Sequence, residues 1–130
     1  LEGFRAAELS NVVHACGVLR FQSDRQLLQA LCDHAKQRLH EFTEQHLANT
    51  LYGVALLRCG DRELLGAACL RARRLLPGFS PQGLSNTLYA LGLLRHRDRQ
   101  LLQEVCASLP RRLGEFSAQG LSNSVYALSL

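Results

Sequence analysis

Phe79-Ser80-Pro81-Gln82-Gly83-Leu84-Ser85-Asn86-Thr87-Leu88-Tyr89-Ala90-Leu91-Gly92-Leu93-Leu94-Arg95 is the stretch that sets the fold of this chain. It returns as Phe116-Ser117-Ala118-Gln119-Gly120-Leu121-Ser122-Asn123-Ser124-Val125-Tyr126-Ala127-Leu128. Upstream it stands as Phe42-Thr43-Glu44-Gln45-His46-Leu47-Ala48-Asn49-Thr50-Leu51-Tyr52. A worn copy opens the chain, with Phe4, Leu9, Asn11 and His14 in the matching places. The phenylalanines lie 38, 37 and 37 residues apart, and so do the asparagines. Self-similarity at such a period is the signature of a repeat array. The 130 residues then divide into repeats at about 4–41, 42–78 and 79–115, with a partial one at 116–130.

Each repeat reads as two helices, A and B. In the clearest copy Ser80 is a good N-cap and Pro81 suits the first helical position. Gln82 adds a weaker capping amide. Leu84, Leu88 and Leu91 then recur at i, i+4 and i+7, an apolar stripe on one helical face. The same stripe is Leu47, Leu51 and Val54 in the second repeat and Leu9, Val13 and Cys16 in the first. A connector follows: Phe21 to Ser23, then Cys59-Gly60, then His96-Arg97. The longer first connector accounts for its 38-residue period. Asp24, Asp61 and Asp98 cap helix B, because aspartate accepts a backbone N–H and suits the positive end of the helix dipole. Helix B carries Leu27, Leu28, Leu31, Cys32, Ala35 and Leu39 at spacings that make one broad apolar face. Pro77-Gly78 closes the second helix B, and Pro110 should kink or end the third. The expectation is an all-α solenoid of helix-turn-helix repeats, with four A helices, three B helices and no sheet.

There is no methionine at position 1 or elsewhere, and the last helix A has no polar capping repeat behind it. Both predict a piece of a longer protein. No apolar run is long enough to span a membrane, so no membrane partner is expected. Cys32, Cys69 and Cys106 are one repeat apart and share one place on the apolar face of helix B. Buried, reduced thiols are expected there, rather than zinc ligands or disulfides. The five histidines fall at unrelated repeat positions. No acid pair, glycine-rich phosphate loop or nucleophile motif is present. Neither catalysis, a metal nor a cofactor is expected.

The net charge is +4, and of 15 Lys+Arg only Lys36 is a lysine. A guanidinium is a planar fork of donors that suits phosphate and stacks on bases. Arg20, Arg58 and Arg95 end helix A, while Arg25, Arg62 and Arg99 open helix B, and Arg97 lies between. All seven should line one edge of the stack, in steps of roughly 8–10 Å set by helix packing. A nucleic-acid backbone can follow such a ladder. The competing account is neutralisation by Asp24, Asp61 and Asp98, with placement at helix C-termini. A second basic group, Lys36, Arg38, Arg73, Arg74, Arg111 and Arg112, falls at the end of helix B and is expected on the opposite edge.

Helix A carries two further stripes. One is Gln82, Asn86, Tyr89 and Leu93, matched by Gln45, Asn49, Tyr52 and Leu56, by Gln119, Asn123 and Tyr126, and by Ala7, Asn11, His14 and Val18. Asparagine is disfavoured in mid-helix because its amide competes for backbone partners. Asn11, Asn49, Asn86 and Asn123 therefore need compensation. The expectation is a ladder of amides bonded between repeats; the alternative is contact with base edges, where amides suit adenine. The tyrosines are expected as packing rings with bonded hydroxyls, with stacking on bases as the alternative. The other stripe varies from repeat to repeat: Glu8, His46, Gly83 and Gly120, with Val12, Thr50, Thr87 and Ser124. A reader of different bases must vary, so this stripe is the expected base-readout set.

The pattern F-S-x-Q-x-L-S-N-x-L-Y-A-L-x-x-L, followed by a second helix and repeated over essentially the whole chain, resembles the octotricopeptide and heptatricopeptide repeats. The Pro-Pro-Pro-Glu-Trp signature of the octotricopeptide branch is absent, which places the chain nearer the 37-residue form. The resemblance implies an RNA-binding solenoid of mitochondria or plastids. It would act in RNA processing, stability or translation, or bind ribosomal RNA within a mitochondrial ribosome. Many such proteins carry a RAP domain, which this stretch lacks. Single-stranded or ribosomal RNA is then the expected partner, with ribosomal or other proteins beside it. The alternative from another class is a tetratricopeptide-like scaffold that reads peptides with its A helices.

Overall fold

The computed structural model describes residues 4–21 and 24–129. Among these residues there are seven α-helices and no strand. The A helices are α1 (Ala6–Val18), α3 (Glu44–Leu57), α5 (Pro81–Leu93) and α7 (Ala118–Ser129). The B helices are α2 (Arg25–Arg38), α4 (Arg62–Leu75) and α6 (Arg99–Arg112). Each B helix runs into a 3-10 turn: Leu39–Glu41, Leu76–Gly78 and Leu113–Glu115. Pro110 lies in the last turn of α6, which ends at Arg112. No helix is long and apolar enough to cross a membrane among the described residues.

The caps fall where residue chemistry puts them. Asp24 accepts from Leu27 N–H, Asp61 from Glu63 and Leu64 N–H, and Asp98 from Leu101 N–H. Ser80 Oγ accepts from Gly83 N–H at 3.0 Å. Gln82 takes no part and stays exposed.

Each A helix packs on the next A helix, and each B helix on the next B helix, so the array has two layers. The apolar stripe of helix A is the core between them. Leu47, Leu51 and Val54 are wholly buried, as are Leu9, Leu84 and Leu88 to within a few per cent. Phe42 and Phe79 are buried where one repeat joins the next. Fully burying each such side chain contributes about 2 kcal/mol.

The A layer is the tighter of the two. A Cβ on Gly53 would lie 2.5 Å from Val13 O, and one on Gly17 would lie 2.7 Å from Gly53 Cα. Only glycine lets the α1 and α3 backbones touch there. One repeat on, Ala90 fills the place of Gly53. Serines add bonds across the layer, Ser10 Oγ to His46 O at 3.1 Å and Ser85 Oγ to Gly120 O at 2.9 Å.

The B layer is staggered. Lys36, near the end of α2, donates to Asp61 at the start of α4 (2.8 Å). Arg73, near the end of α4, meets Glu104 of α6 (3.0 Å) and Gln100 (2.8 Å). The second half of each B helix therefore faces the first turns of the next. Lys36 and Arg73 thus tie repeats together, while Arg74 and Arg111 of the same basic group stay exposed.

The three equivalent cysteines differ. Cys32 and Cys69 are buried, but Cys106 is exposed. A following B helix packs on α2 and on α4; among the described residues none follows α6. Burial, together with the Asp98 carboxylate, pushes the Cys69 thiol up to about 12.

Candidate nucleic-acid interface

Helix A ends on an arginine in an unusual backbone state. Arg20, Arg58 and Arg95 have φ of 53°, 55° and 54°, the left-handed region. The bonds around them explain why. Arg58 N–H reaches Ala55 O and Cys59 N–H reaches back to Val54 O; Arg95 and His96 repeat this on Gly92 and Leu91. Such a helix end takes a left-handed residue, and glycine is the usual choice. A side chain there costs roughly 1–2 kcal/mol. Three repeats carry arginine at this place, and all three side chains are exposed.

The rest of the connector set is equally open. Arg25, Arg62, Arg97 and Arg99 are exposed. None of the seven arginines has an ion-pair partner among the described residues. The capping aspartates form no ion pair with them among the described residues; their carboxylates hold helix N–H groups. Asp61 also takes Lys36, which holds the Asp61 carboxyl below the usual carboxylate range. The connectors of neighbouring repeats are contiguous. Arg20 and Arg58 line one open groove of about 680 Å³ with Leu56 and Leu93. Arg25 and Arg58 line another.

From this arginine row the exposed face of helix A changes chemistry by steps. First comes an apolar row: Val18, Leu56 and Leu93. Next is a ring row, in which His14 and Tyr52 lie 6.0 Å apart between centroids and Tyr89 and Tyr126 lie 6.5 Å apart. Beyond it lie the asparagine row and then the glutamines. At 1.5 Å rise per residue, the ring row is about 9 Å from the arginine row along the helix axis. Tyr126 is half exposed, and Tyr52 and Tyr89 are partly exposed.

The asparagine ladder does not form. No asparagine side chain of the row bonds to a protein group among the described residues. Instead the amides line open grooves, one per junction. Gln45 and Asn49 share a groove of about 550 Å³ with Gln82 and Asn86. Gln82 and Asn86 share the next, of about 540 Å³, with Gln119 and Asn123. Among the described residues the tyrosine hydroxyls also lack the bonds expected of packing rings.

The variable stripe has a structural explanation instead. Thr50, Thr87 and Ser124 are 2%, 1% and 0% exposed, sealed between A helices, so they are closed to any ligand. Val12 packs against the same core. Glu8, His46, Gly83 and Gly120 occupy the capping turn of helix A. Glu8 accepts from Arg5 N–H at 2.7 Å, and His46 Nδ1 accepts from Thr43 N–H at 3.2 Å. Gly83 and Gly120 donate N–H to Ser80 and Ser117 at 3.0 Å each. Glu8 and His46 thus close the capping turn with their side chains, and Gly83 and Gly120 with the backbone N–H alone. The expectation that Thr50, Thr87 and Ser124 face a ligand is thereby corrected by their burial.

No protein-family model matches the chain, and no curated protein matches it.

Proposed function

We propose that this chain is a helical-repeat RNA-binding module that holds a single strand along its A-helix face. One observation carries the reading. Seven exposed arginines without carboxylate partners line contiguous connectors, beside a row of rings and a row of unbonded amides. A strand lying along the stack would set its phosphates on the arginines, as charge-assisted bonds require. Its bases would then turn towards the rings, where stacking contributes roughly 1–3 kcal/mol per base. The asparagine and glutamine grooves supply donors and acceptors for base edges. The resemblance stated above adds the finer proposal, a mitochondrial or plastid RNA, either free or ribosomal.

The test compares partners of one length. Single-stranded RNA should bind, and duplex RNA should bind more weakly because its bases are not free to stack. Replacing Tyr52 and Tyr89 with leucine should weaken the single strand and leave the duplex unchanged. The exposed Val18 and Leu19 beside Arg20 favour a second reading, a scaffold that holds an acidic peptide with an apolar anchor. Tight binding of such a peptide, with no binding of RNA, selects that reading.

A further inference from the structure

Two thiols line one groove at the first junction between repeats. Cys32 lies on α2 and is 4% exposed. Cys59 is partly exposed and follows the left-handed Arg58 directly. Both line the groove that holds Arg25, Arg58 and Asp61. Cys59 Sγ lies 3.8 Å from Val54 O, which fixes its place on the connector. The neighbouring Cys32 thiol holds the Cys59 thiol below its ordinary range, while Cys59, with burial, pushes the Cys32 thiol up. One repeat on, position 96 is histidine, so the pair has no equivalent opposite Cys69. The period accounts for Cys32 as a core residue and leaves Cys59 unexplained.

We propose that Cys59 and Cys32 form a redox-active dithiol, with Cys59 as the entry thiol and Cys32 as the resolving thiol. Its substrate class is an anionic, low-molecular-mass disulfide, such as oxidised glutathione. Arg25 and Arg58 line the approach and complement the carboxylates of such a reagent. The Cys59 thiolate attacks one sulfur of the disulfide; the S–S bond breaks and the other sulfur leaves with the electron pair as a thiol. Cys32 then gives up its proton and attacks the Cys59 sulfur, and the second small thiol departs. Two protein thiols lose two electrons, and one disulfide gains them as two thiols. The product bond staples α2 to the connector of the second repeat. The proposal stands apart from the RNA reading.

The native protein is incubated with oxidised glutathione, quenched with an alkylating agent and mapped by peptide mass spectrometry. The expected product is a Cys32–Cys59 cross-linked peptide. Cys59 stopping at the mixed disulfide, with Cys32 still alkylated, overturns the pair; so does Cys59 left unmodified. In Cys32→Ser the mixed disulfide at Cys59 should accumulate. In Cys59→Ser, Cys32 should lose its reactivity towards the reagent; modification of Cys32 there overturns the entry role. Should either variant fail to fold, the native map alone decides.

Discussion

The arginines of the connectors and the basic residues at the ends of the B helices share their chemistry and differ in their surroundings. Lys36 meets Asp33, Asp61 and Glu63, Arg38 meets Glu41, Arg73 meets Glu104, and Arg112 meets Glu115. Arg112 also donates to Phe79 O, and Arg71 donates to Phe42 O at 3.1 Å. These side chains fasten one repeat to the next or close a turn, whereas Arg74 and Arg111 of the same group are exposed and have no ion-pair partner among the described residues. The connector arginines fasten nothing, and three of them hold a backbone state that glycine would adopt at less cost. Net charge does not separate a structural cation from one left free for a ligand. Pairing does.

The sharpest break in the comparison is in affinity. Replacing Arg20, Arg58 and Arg95 together with alanine removes three charge-assisted contacts of about 1.5 kcal/mol each. Single-stranded RNA should then bind roughly a thousandfold more weakly at low salt, measured by fluorescence anisotropy. Arg112→Ala should do the reverse. Leaving its partners unbonded should lower unfolding stability by about 2 kcal/mol in urea, with RNA affinity of the folded fraction unchanged. Arg58→Gly should raise stability by about 1 kcal/mol, because glycine takes the left-handed state without strain, and yet weaken RNA. A variant both more stable and poorer at binding is what a residue kept for a ligand should yield.

The smallest effect concerns pH. Lys36 lowers the Asp61 pKa, so that pair stabilises the fold above the unfolded carboxylate value of about 3.9. Its contribution is lost as pH falls through the depressed folded value. Asp61 raises the Lys36 pKa. The lysine's share is therefore full below the unfolded value of about 10.4 and is lost as pH rises through the folded one. The stability gap between the native chain and Lys36→Met should be flat between these limits and close in acid. The gap for Arg58→Gly should not change with pH in the same way, since no carboxylate pairs with Arg58.

The period, the caps and the helix count were legible in the sequence because local chemistry decides them. Ser80, Asp61 and Pro81 act within a single turn, and the leucine stripes need only one face to bury. What failed depended on distances between elements. Thr50 and Thr87 resemble surface residues until the A helices pack on one another, drawn together at the first junction by Gly17 and Gly53, and seal that side. The asparagine ladder looked necessary because mid-helix asparagine must be compensated, yet the sequence does not give the width of the groove between Asn49 and Asn86. Cys106 shares the register of Cys32 and Cys69 but not the helix that covers them. The left-handed arginines carried no sequence signal, since glycine is the expected residue at that place.

The measurement that bears most directly on the central claim is the salt dependence of RNA binding. Each phosphate contact adds about 0.7 to the slope of log affinity against log salt for a single strand. The triple variant of Arg20, Arg58 and Arg95 should flatten that slope by about 2 relative to the native chain. A matched variant of Lys36, Arg38 and Arg73 should leave it unchanged. Equal slopes for the native chain and the connector variant would contradict the assignment of the connector arginines to the RNA backbone.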